Sequence, residues 1–444
     1  MITRSTRHAA AAAGFGLVTL FAPAGELDPP GAPAPTQALI EPRIPVGPST
    51  TPGVTNAVFA IDTPGSYYLT GDVAGESGKS AISIRTSGVT LDLNGFALRG
   101  VPGAFHAVSI VQNSPTDVTI RNGVLADWPS NGVNGSGAVR VTVEDLHVES
   151  VGTTGINVGA QGRVARCSIA GAVSNGIQVG EHSLVEHCVV RQCGGDGIAG
   201  VTGAVVRGCA VDEAGDDGIV LGLSGVAESC TLTGGGGDGI STGAGSTVRG
   251  CTAQGNGSAG FRIGSSSTVV DCVALQNRIG FDSEAQVTFA ACTAQQNSPE
   301  EGFDLGAGNT ATGCTAASNT SDGFFAGTGS TVQGCTARSN TGDGIHTTSD
   351  GLILNNVCAS NGFNGDGAGI LASASGNRID GNHVANNDRG IDINGTGNII
   401  LRNTARTNTT DFDIFAGNDT GDIIDLTGVQ GEFATGTAWS NFRH

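Results

Sequence analysis

The sequence repeats with a period close to 21 residues, and cysteine marks the repeat most clearly. Gly followed by Ile or Phe recurs in phase with the cysteines, as at Gly197-Ile198 and Gly260-Phe261. Self-similarity at such a fixed period is typical of one supersecondary unit stacked on itself. Ten of the eleven cysteines fall in this register: Cys167, Cys188, Cys209, Cys230, Cys251, Cys272, Cys292, Cys314, Cys335 and Cys358.

Each repeat has the composition of short strands and turns. Residues 246–253, STVRGCTA, combine β-branched residues with glycine and contain no run of helix length. At about 3.3 Å per residue, one repeat is long enough for one turn of a flattened coil, and successive coils would pair in parallel about 4.8 Å apart. Asparagines five residues after the cysteines form a further register: Asn256, Asn277, Asn297, Asn319 and Asn340, with Asn382 and Asn403 taking the cysteine position later.

We therefore expect an all-β parallel solenoid. We count about fifteen coils between Val89 and Leu401, with Val, Ile, Phe, Ala and Cys filling the interior. Only 14% of the residues are charged and 73 are glycine, a composition that argues against a coiled coil. The phenylalanines of the Gly-Phe pairs should stack as one column: Phe261, Phe281, Phe303 and Phe324.

This pattern resembles the right-handed parallel β-helix repeat family, of which pectate and pectin lyases are the best-known members. The resemblance covers residues 59–410 and includes residues 88–95, GVTLDLNG, which are similar to a first-coil signature of bacterial members. It implies a single-stranded right-handed parallel β-helix of about 15 coils with about 21 residues per coil. The family includes lyases, glycosidases, epimerases and adhesins, so the fold alone implies no single function.

The two ends of the chain depart from the repeat. Residues 1–24 have the basic start, apolar run and Ala-Pro-Ala ending of an export signal, which predicts a secreted, periplasmic or cell-surface protein. The proline-rich residues 25–58 predict a linker, and residues 411–444 a C-terminal cap. No other apolar run is long enough to span a membrane, and the net charge of −19 disfavours nucleic acid as a partner.

The cysteine register does not predict disulfides. Residues stacked about 4.8 Å apart with parallel side chains do not have the geometry of a disulfide, so these thiols should act as small buried hydrophobic groups. Cys193 stands outside this register, at the turn position where later coils carry asparagine. It is therefore either a satisfied turn residue or a reactive thiol.

A column of aspartates is the feature most suited to chemistry. Asp196, Asp217 and Asp238 precede three successive Gly-Ile pairs, and Asp216 adjoins the middle one. Carboxylates about 5 Å apart must share a proton, bind a cation or point apart. A shared proton would provide a catalytic acid beside a base, and calcium would bind such an oxygen cluster.

A narrower resemblance, to the polygalacturonase family of glycoside hydrolases, rests on the same residues. Gly215-Asp216-Asp217-Gly218-Ile219 is similar to its Gly-Asp-Asp-Cys motif, Asp196-Gly197 to the end of its Asn-Thr-Asp-Gly motif, and Phe261-Arg262-Ile263 to its Arg-Ile-Lys motif. The resemblance implies that Asp216 and Asp217 act as acid and base and that Arg262 holds a substrate carboxylate. The sequence departs from the family at Asp238, where a histidine is expected, and at Gly264, where a lysine is expected.

Several interpretations remain open. Asp196, Asp216, Asp217, Asp238 and Arg262 are candidate catalytic residues for cleavage of a polysaccharide, either by hydrolysis or by β-elimination with calcium on Asp196, Asp217 and Asp238. Asp-Gly-Ile is also ordinary turn chemistry, which would make the column structural. In that case the chain would be a non-catalytic exported rod, such as an adhesin or a surface or carbohydrate-binding protein. The sequence does not determine the oligomeric state.

Overall fold

The computed structural model describes residues 43–111, 115–362, 365, 367–426 and 436–444. Within these ranges the chain consists of short strands and turns, with no helix, and hence with no helix able to cross a membrane. The predicted export signal at residues 1–24 and most of the predicted linker lie outside the described residues.

Each coil contributes three strands, and equivalent strands of successive coils pair in parallel in register, as Ile198 does with Ile177 and Ile219. Three columns of strands result. The first column contains Ala57–Ile61, Ser80–Ile84, Val108–Ile110, Val133–Gly135, Ile156–Val158, Ile177–Val179, Ile198–Gly200, Ile219–Leu221, Ile240–Thr242, Ala259–Ile263, Ile279–Ser283, Phe303–Leu305, Phe324–Ala326, Ile345–Thr347, Ala368–Ala372, Arg389–Ile393 and Thr410–Ile414.

The second and third columns share two long strands, Thr116–Ala126 and Val139–Glu149. The other strands of the second column are Ile44–Pro45, Gly65–Tyr68, Val89–Asp92, Arg163–Ala165, Leu184–Glu186, Val205–Arg207, Val226–Glu228, Thr247–Arg249, Thr268–Val270, Thr288–Ala290, Thr310–Thr312, Thr331–Gln333, Leu352–Leu354, Arg378–Asp380, Ile399–Leu401 and Asp419–Thr420. The other strands of the third column are Val73–Ala74, Ala97–Arg99, Ser168–Ala170, Val189–Arg191, Ala210–Asp212, Thr231–Thr233, Thr252–Gln254, Val273–Leu275, Thr293–Gln295, Thr315–Ala317, Thr336–Arg338, Val357–Ala359, His383–Ala385, Thr404–Arg406 and Asn441–Arg443, beside which lies Ile423–Asp425.

The predicted parallel solenoid is confirmed, but it has about 18 turns rather than about 15. The second column does have fifteen strands between Val89 and Leu401, as expected. The additional turns lie outside that range, at Ile44–Pro45, Gly65–Tyr68 and Asp419–Thr420.

The core is a set of stacked side chains, as the repeat predicts. Phe261, Phe281, Phe303 and Phe324 stack with ring centroids 4.6 to 4.8 Å apart. All eleven cysteines are free and buried, which confirms the prediction that the register forms no disulfides. The asparagine register is a hydrogen-bonded ladder, in which the Asn319 amide nitrogen donates to Asn340 Oδ1 at 3.0 Å.

The assignment of Cys358 to the cysteine ladder was wrong. Asn356 takes that position, because its Oδ1 accepts the backbone N–H of Cys335 at 2.8 Å. Cys358 instead lies in the third column, paired with Ala337 and Val384. The asparagine substitution therefore begins one coil earlier than the spacing of cysteines alone suggests.

Both ends of the solenoid differ in detail from expectation. Ile44–Pro45 pairs with Tyr67-Tyr68, so the described part of residues 25–58 already belongs to the solenoid. At the other end, Thr410–Ile414 forms one more first-column strand, and Asn441–Arg443 then lies over Thr404–Arg406. The final strand thus covers the last coil of the third column.

Candidate functional site

Two groups of ionisable side chains lie beside the first column, where the chain turns into each strand. The Arg262 cluster comprises Asp196, Asp216, Asp217, Asp238 and Arg262. The His346 cluster, whose Asp322 and His346 lie four coils beyond Asp238 and Arg262, comprises Asp322, Asp343 and His346. In both clusters an aspartate precedes the Gly-Ile or Gly-Phe pair that opens a strand, and the basic residue points outward from the strand of a later coil.

Two aspartates of the Arg262 cluster hydrogen-bond to the backbone of the next coil. Asp217 Oδ1 accepts the N–H of Asp238 at 2.6 Å, and Asp238 Oδ1 accepts the N–H of Ala259 at 2.8 Å. These bonds satisfy turn N–H groups that would otherwise be unpaired. The aspartate column is therefore part of the turn ladder, and each carboxylate uses one oxygen in this role.

Arg262 is paired with two protein carboxylates, although about half of its side chain is exposed. Its Nε donates to Asp238 Oδ2 at 2.6 Å, and its Nη1 donates to Asp282 Oδ2. The Asp238 partner raises the pKa of the Arg262 guanidinium. Arg262 therefore makes its bidentate interaction with Asp238 rather than with a substrate carboxylate. Asp238 is buried, and a buried carboxylate requires a cationic partner.

The other three carboxyl groups of the cluster have no arginine or lysine partner within 4.0 Å among the described residues. Asp216 is exposed, and Asp196 accepts a hydrogen bond from Asn175 Nδ2 at 3.3 Å. A Cβ atom at Gly237 would collide with one oxygen each of Asp216 and Asp217, so these two carboxylates converge over that glycine. The absence of a side chain at position 237 keeps this space open.

Burial and mutual repulsion shift the protonation of this group. Burial, followed by the charges of Asp238, Asp216 and Asp196, raises the pKa of Asp217 to about 6. Burial and the charge of Asp216 also raise the pKa of Asp196. Asp217 can therefore carry a proton at mildly acidic pH.

The structure does not bring Asp196, Asp217 and Asp238 together as a calcium site. Among the described residues, the group of three metal-binding side chains that does converge is Asp322, Asp343 and His346. Asp238 is instead directed to Arg262, which supplies the positive charge that a cation would otherwise provide.

The His346 cluster was not predicted, and it is the more compact of the two. One ligand atom from each of Asp322, Asp343 and His346 lies within 4.8 Å of the other two. His346 Nδ1 lies 3.3 Å from Asp322 Oδ2, and His346 Nε2 lies 3.0 Å from Ser373 Oγ. Asp343 is buried, and its Oδ1 accepts the N–H of Ala368 at 2.6 Å.

The register of the repeat contained the signal for this cluster. His346 lies 24 residues after Asp322, the same separation that joins Arg262 to Asp238. Reasoning from residues that are close in the sequence misses a ligand set formed across coils. It also misses Phe325, which faces outward and packs edge-on against His346 with ring centroids 5.0 Å apart.

The remaining sequence candidates are less suited to chemistry. Cys193 is buried, its Sγ donates to the carbonyl oxygens of Gly195 and Asp196, and burial raises the pKa of its thiol. Two arginines that elimination could use in place of Arg262 lie elsewhere, because Arg278 pairs with Glu300 and Arg191 lies in the third column. Neither arginine adjoins the aspartates as elimination chemistry would require.

The chain matches the family model described as a right-handed β-helix region over residues 77–226, 198–331 and 305–424. These matches span most of the sequence, and the chain belongs to the right-handed β-helix family. No curated protein matches the sequence significantly.

Two solved structures illustrate the similarity to known β-helix proteins. The A-module of mannuronan C-5 epimerase AlgE4 from Azotobacter vinelandii is 14% identical, with a TM-score of 0.27 over 80% of this chain and 90% of that chain. DFA-IIIase from Arthrobacter chlorophenolicus A6, solved without its lid, is 13% identical, with a TM-score of 0.26 over 85% of this chain and 88% of that chain. At such low scores the likeness carries no conclusion about the activity of this chain.

Proposed function

We propose that this chain is an exported carbohydrate-active protein that hydrolyses a neutral polysaccharide at the Arg262 cluster. The observation that carries the proposal is the convergence of Asp216 and Asp217 over Gly237, beside Asp196 and without a basic partner among the described residues. Asp217 would protonate the leaving oxygen, and a neighbouring carboxylate, Asp216 or Asp196, would take a proton from the attacking water or stabilise the positive charge that develops on the sugar.

The outward face of the first column suits an extended sugar chain. Beside the aspartates its outward residues are uncharged, with Ala199, Val220 and Ser241 in three successive coils. Immediately beyond them is a cavity of about 320 Å³ lined by residues that include Ser241, Arg262 and Glu284. Small side chains would let the polysaccharide backbone approach the carboxyl groups, and the cavity would hold a sugar ring.

Hydrolysis is favoured over elimination by the charges around the site. Elimination from a polyuronate requires a cation to neutralise the substrate carboxylate, and Arg262 is already paired with Asp238 and Asp282. The net charge of −19 would repel such a substrate. A neutral glycan avoids both penalties.

The test is incubation of the full chain with neutral polysaccharides (glucans, xylan, mannan and fructan) and with polyuronates. We expect new reducing ends from a neutral substrate, without the ultraviolet absorbance of unsaturated products. Asp217→Asn should lower the rate by about 100-fold or more, as loss of a general acid does. Glu228→Gln removes the same charge from the second column and should leave the rate unchanged.

A second candidate is a non-catalytic rod, and the backbone hydrogen bonds of Asp217 and Asp238 favour it. In that case no polysaccharide would yield products. Asp217→Asn would then have little effect even on stability, because the asparagine oxygen can still accept the N–H of Asp238. Unsaturated products from a polyuronate would instead support elimination and contradict the proposed hydrolysis.

A further inference from the structure

The hydrogen bonds around His346 permit an arrangement in which two acceptors face each other. The hydroxyl of Ser373 has two acceptors within reach, because its Oγ lies 3.2 Å from the carbonyl oxygen of Thr347 and 3.0 Å from His346 Nε2. When the hydroxyl donates to Thr347, its Oγ accepts from His346 Nε2, which places the hydrogen of a neutral imidazole on Nε2. The lone pair of Nδ1 then faces Asp322 Oδ2 at 3.3 Å, an arrangement that requires a proton or another cation between them.

A comparison of the buried aspartates independently indicates a missing positive charge. Among the described residues five aspartates are buried, and four of them accept an arginine at 3.2 Å or less: Asp92 from Arg121, Asp238 from Arg262, Asp380 from Arg378 and Arg402, and Asp392 from Arg389. Asp343 is the fifth, 8% exposed, and no described arginine or lysine lies within 4.0 Å of it. A buried carboxylate ordinarily needs such a partner or a proton.

We propose that Asp322, Asp343 and His346 bind a divalent transition-metal ion of the zinc class, through one carboxylate oxygen of each aspartate and Nδ1 of His346. The mixed donor set selects this class, because imidazole favours zinc and similar ions whereas calcium is bound by oxygen ligands alone. Ser373 holds the imidazole with Nδ1 toward the carboxylates, which is the usual role of a residue behind a metal ligand. The site is distinct from the Arg262 cluster and does not depend on the proposed hydrolysis.

The experiment is a calorimetric titration of the untagged full chain with zinc chloride, and in parallel with calcium chloride. We expect saturable zinc binding that is at least about 10-fold weaker in His346→Ala and in Asp343→Asn, with a similar weakening in Ser373→Ala. Asp217→Asn is the matched control, because it removes a half-buried aspartate from the equivalent turn position of another coil. Its zinc affinity should equal that of the unaltered chain.

A second variant protects the test against misfolding. His346→Arg places a fixed guanidinium beside Asp322, as Arg262 lies beside Asp238, and it should fold while no longer binding zinc at this site. Zinc should raise the melting temperature of the unaltered chain and not that of His346→Arg. Absence of zinc binding, equal zinc affinity in His346→Ala, an equal loss in Asp217→Asn, or calcium binding as tight as that of zinc would each overturn the proposal.

Discussion

The Arg262 and His346 clusters occupy equivalent positions in the repeat, yet they differ in the source of positive charge. Asp238 and Arg262 are separated by 24 residues, as are Asp322 and His346. In the coil of Arg262 the turn residue is Ala259, whereas in the coil of His346 it is Asp343. One cluster therefore contains a permanent cation for one buried carboxylate, and the other has two carboxylates beside a weakly basic imidazole.

In a solenoid, the position of a side chain and its chemical role are determined by different features of the sequence. The backbone repeat determines where a side chain projects, because each residue stacks on its equivalent in the coil below. The turn residue (Ala259 or Asp343) and the outward basic residue (Arg262 or His346) then decide whether the position contains an ion pair or a set of metal ligands. Coils with nearly the same backbone can thus present different sets of ionisable side chains.

The largest effect is expected from removal of the arginine. Arg262→Ala leaves Asp238 buried without its cation, and we expect the free energy of unfolding to fall by about 2 kcal/mol, less than for a fully buried pair because Arg262 is half exposed. His346→Ala should cost less than about 1 kcal/mol, because no permanent charge is lost. Denaturant unfolding of both variants would measure this. Equal losses would show that the two clusters do not differ as described.

An intermediate effect on stability is expected when His346 is replaced by arginine. His346→Arg supplies Asp322 and Asp343 with a charge-assisted partner in the position that Arg262 occupies in its own cluster. In the absence of metal, the free energy of unfolding should rise by about 1 kcal/mol. Denaturation with chelator present would measure the change, and a loss of stability would contradict the proposed equivalence of the two positions.

The smallest effect concerns pH. The pKa of Asp217 is raised to about 6 by burial and by its acidic neighbours, so the folded state binds its proton more tightly than the unfolded chain does. The stability from this proton is complete at low pH, and it is lost as pH rises through about 6. Asp217→Asn should reduce the change in unfolding free energy over this pH range by less than about 1 kcal/mol, because the Asp217 carboxyl group is partly exposed. Melting temperatures from mildly acidic to neutral pH would measure it, and an unchanged pH dependence in the variant would contradict the shifted pKa.

Much of the fold was predictable because the period determines which residues stack. The phenylalanine column and the asparagine ladder follow directly from their spacing. The residue that follows Cys335 in the ladder was harder to predict, because Asn356 and Cys358 are both small enough for the interior and lie two residues apart. The structure distinguishes them by the hydrogen bond from the Cys335 backbone to Asn356 and by the pairing of Cys358 with Ala337 and Val384.

The sites were less predictable than the fold, because their chemistry depends on side-chain directions. The sequence places Asp217 and Asp238 in one column but does not say that each gives an oxygen to the backbone of the next coil. It likewise identifies Arg262 as a candidate without revealing its buried partner. The pairing of His346 with Asp322 could have been predicted, because the same separation of 24 residues joins Arg262 to Asp238.

The most direct test of the contrast between the clusters is anomalous diffraction at the zinc edge from crystals of the full chain grown with zinc. We predict a peak between the carboxylates of Asp322 and Asp343 and Nδ1 of His346, and no peak between Asp238 and Arg262. A zinc peak among Asp196, Asp216 and Asp217, or no peak at His346, would contradict the view that the missing arginine leaves the His346 cluster open to a metal ion.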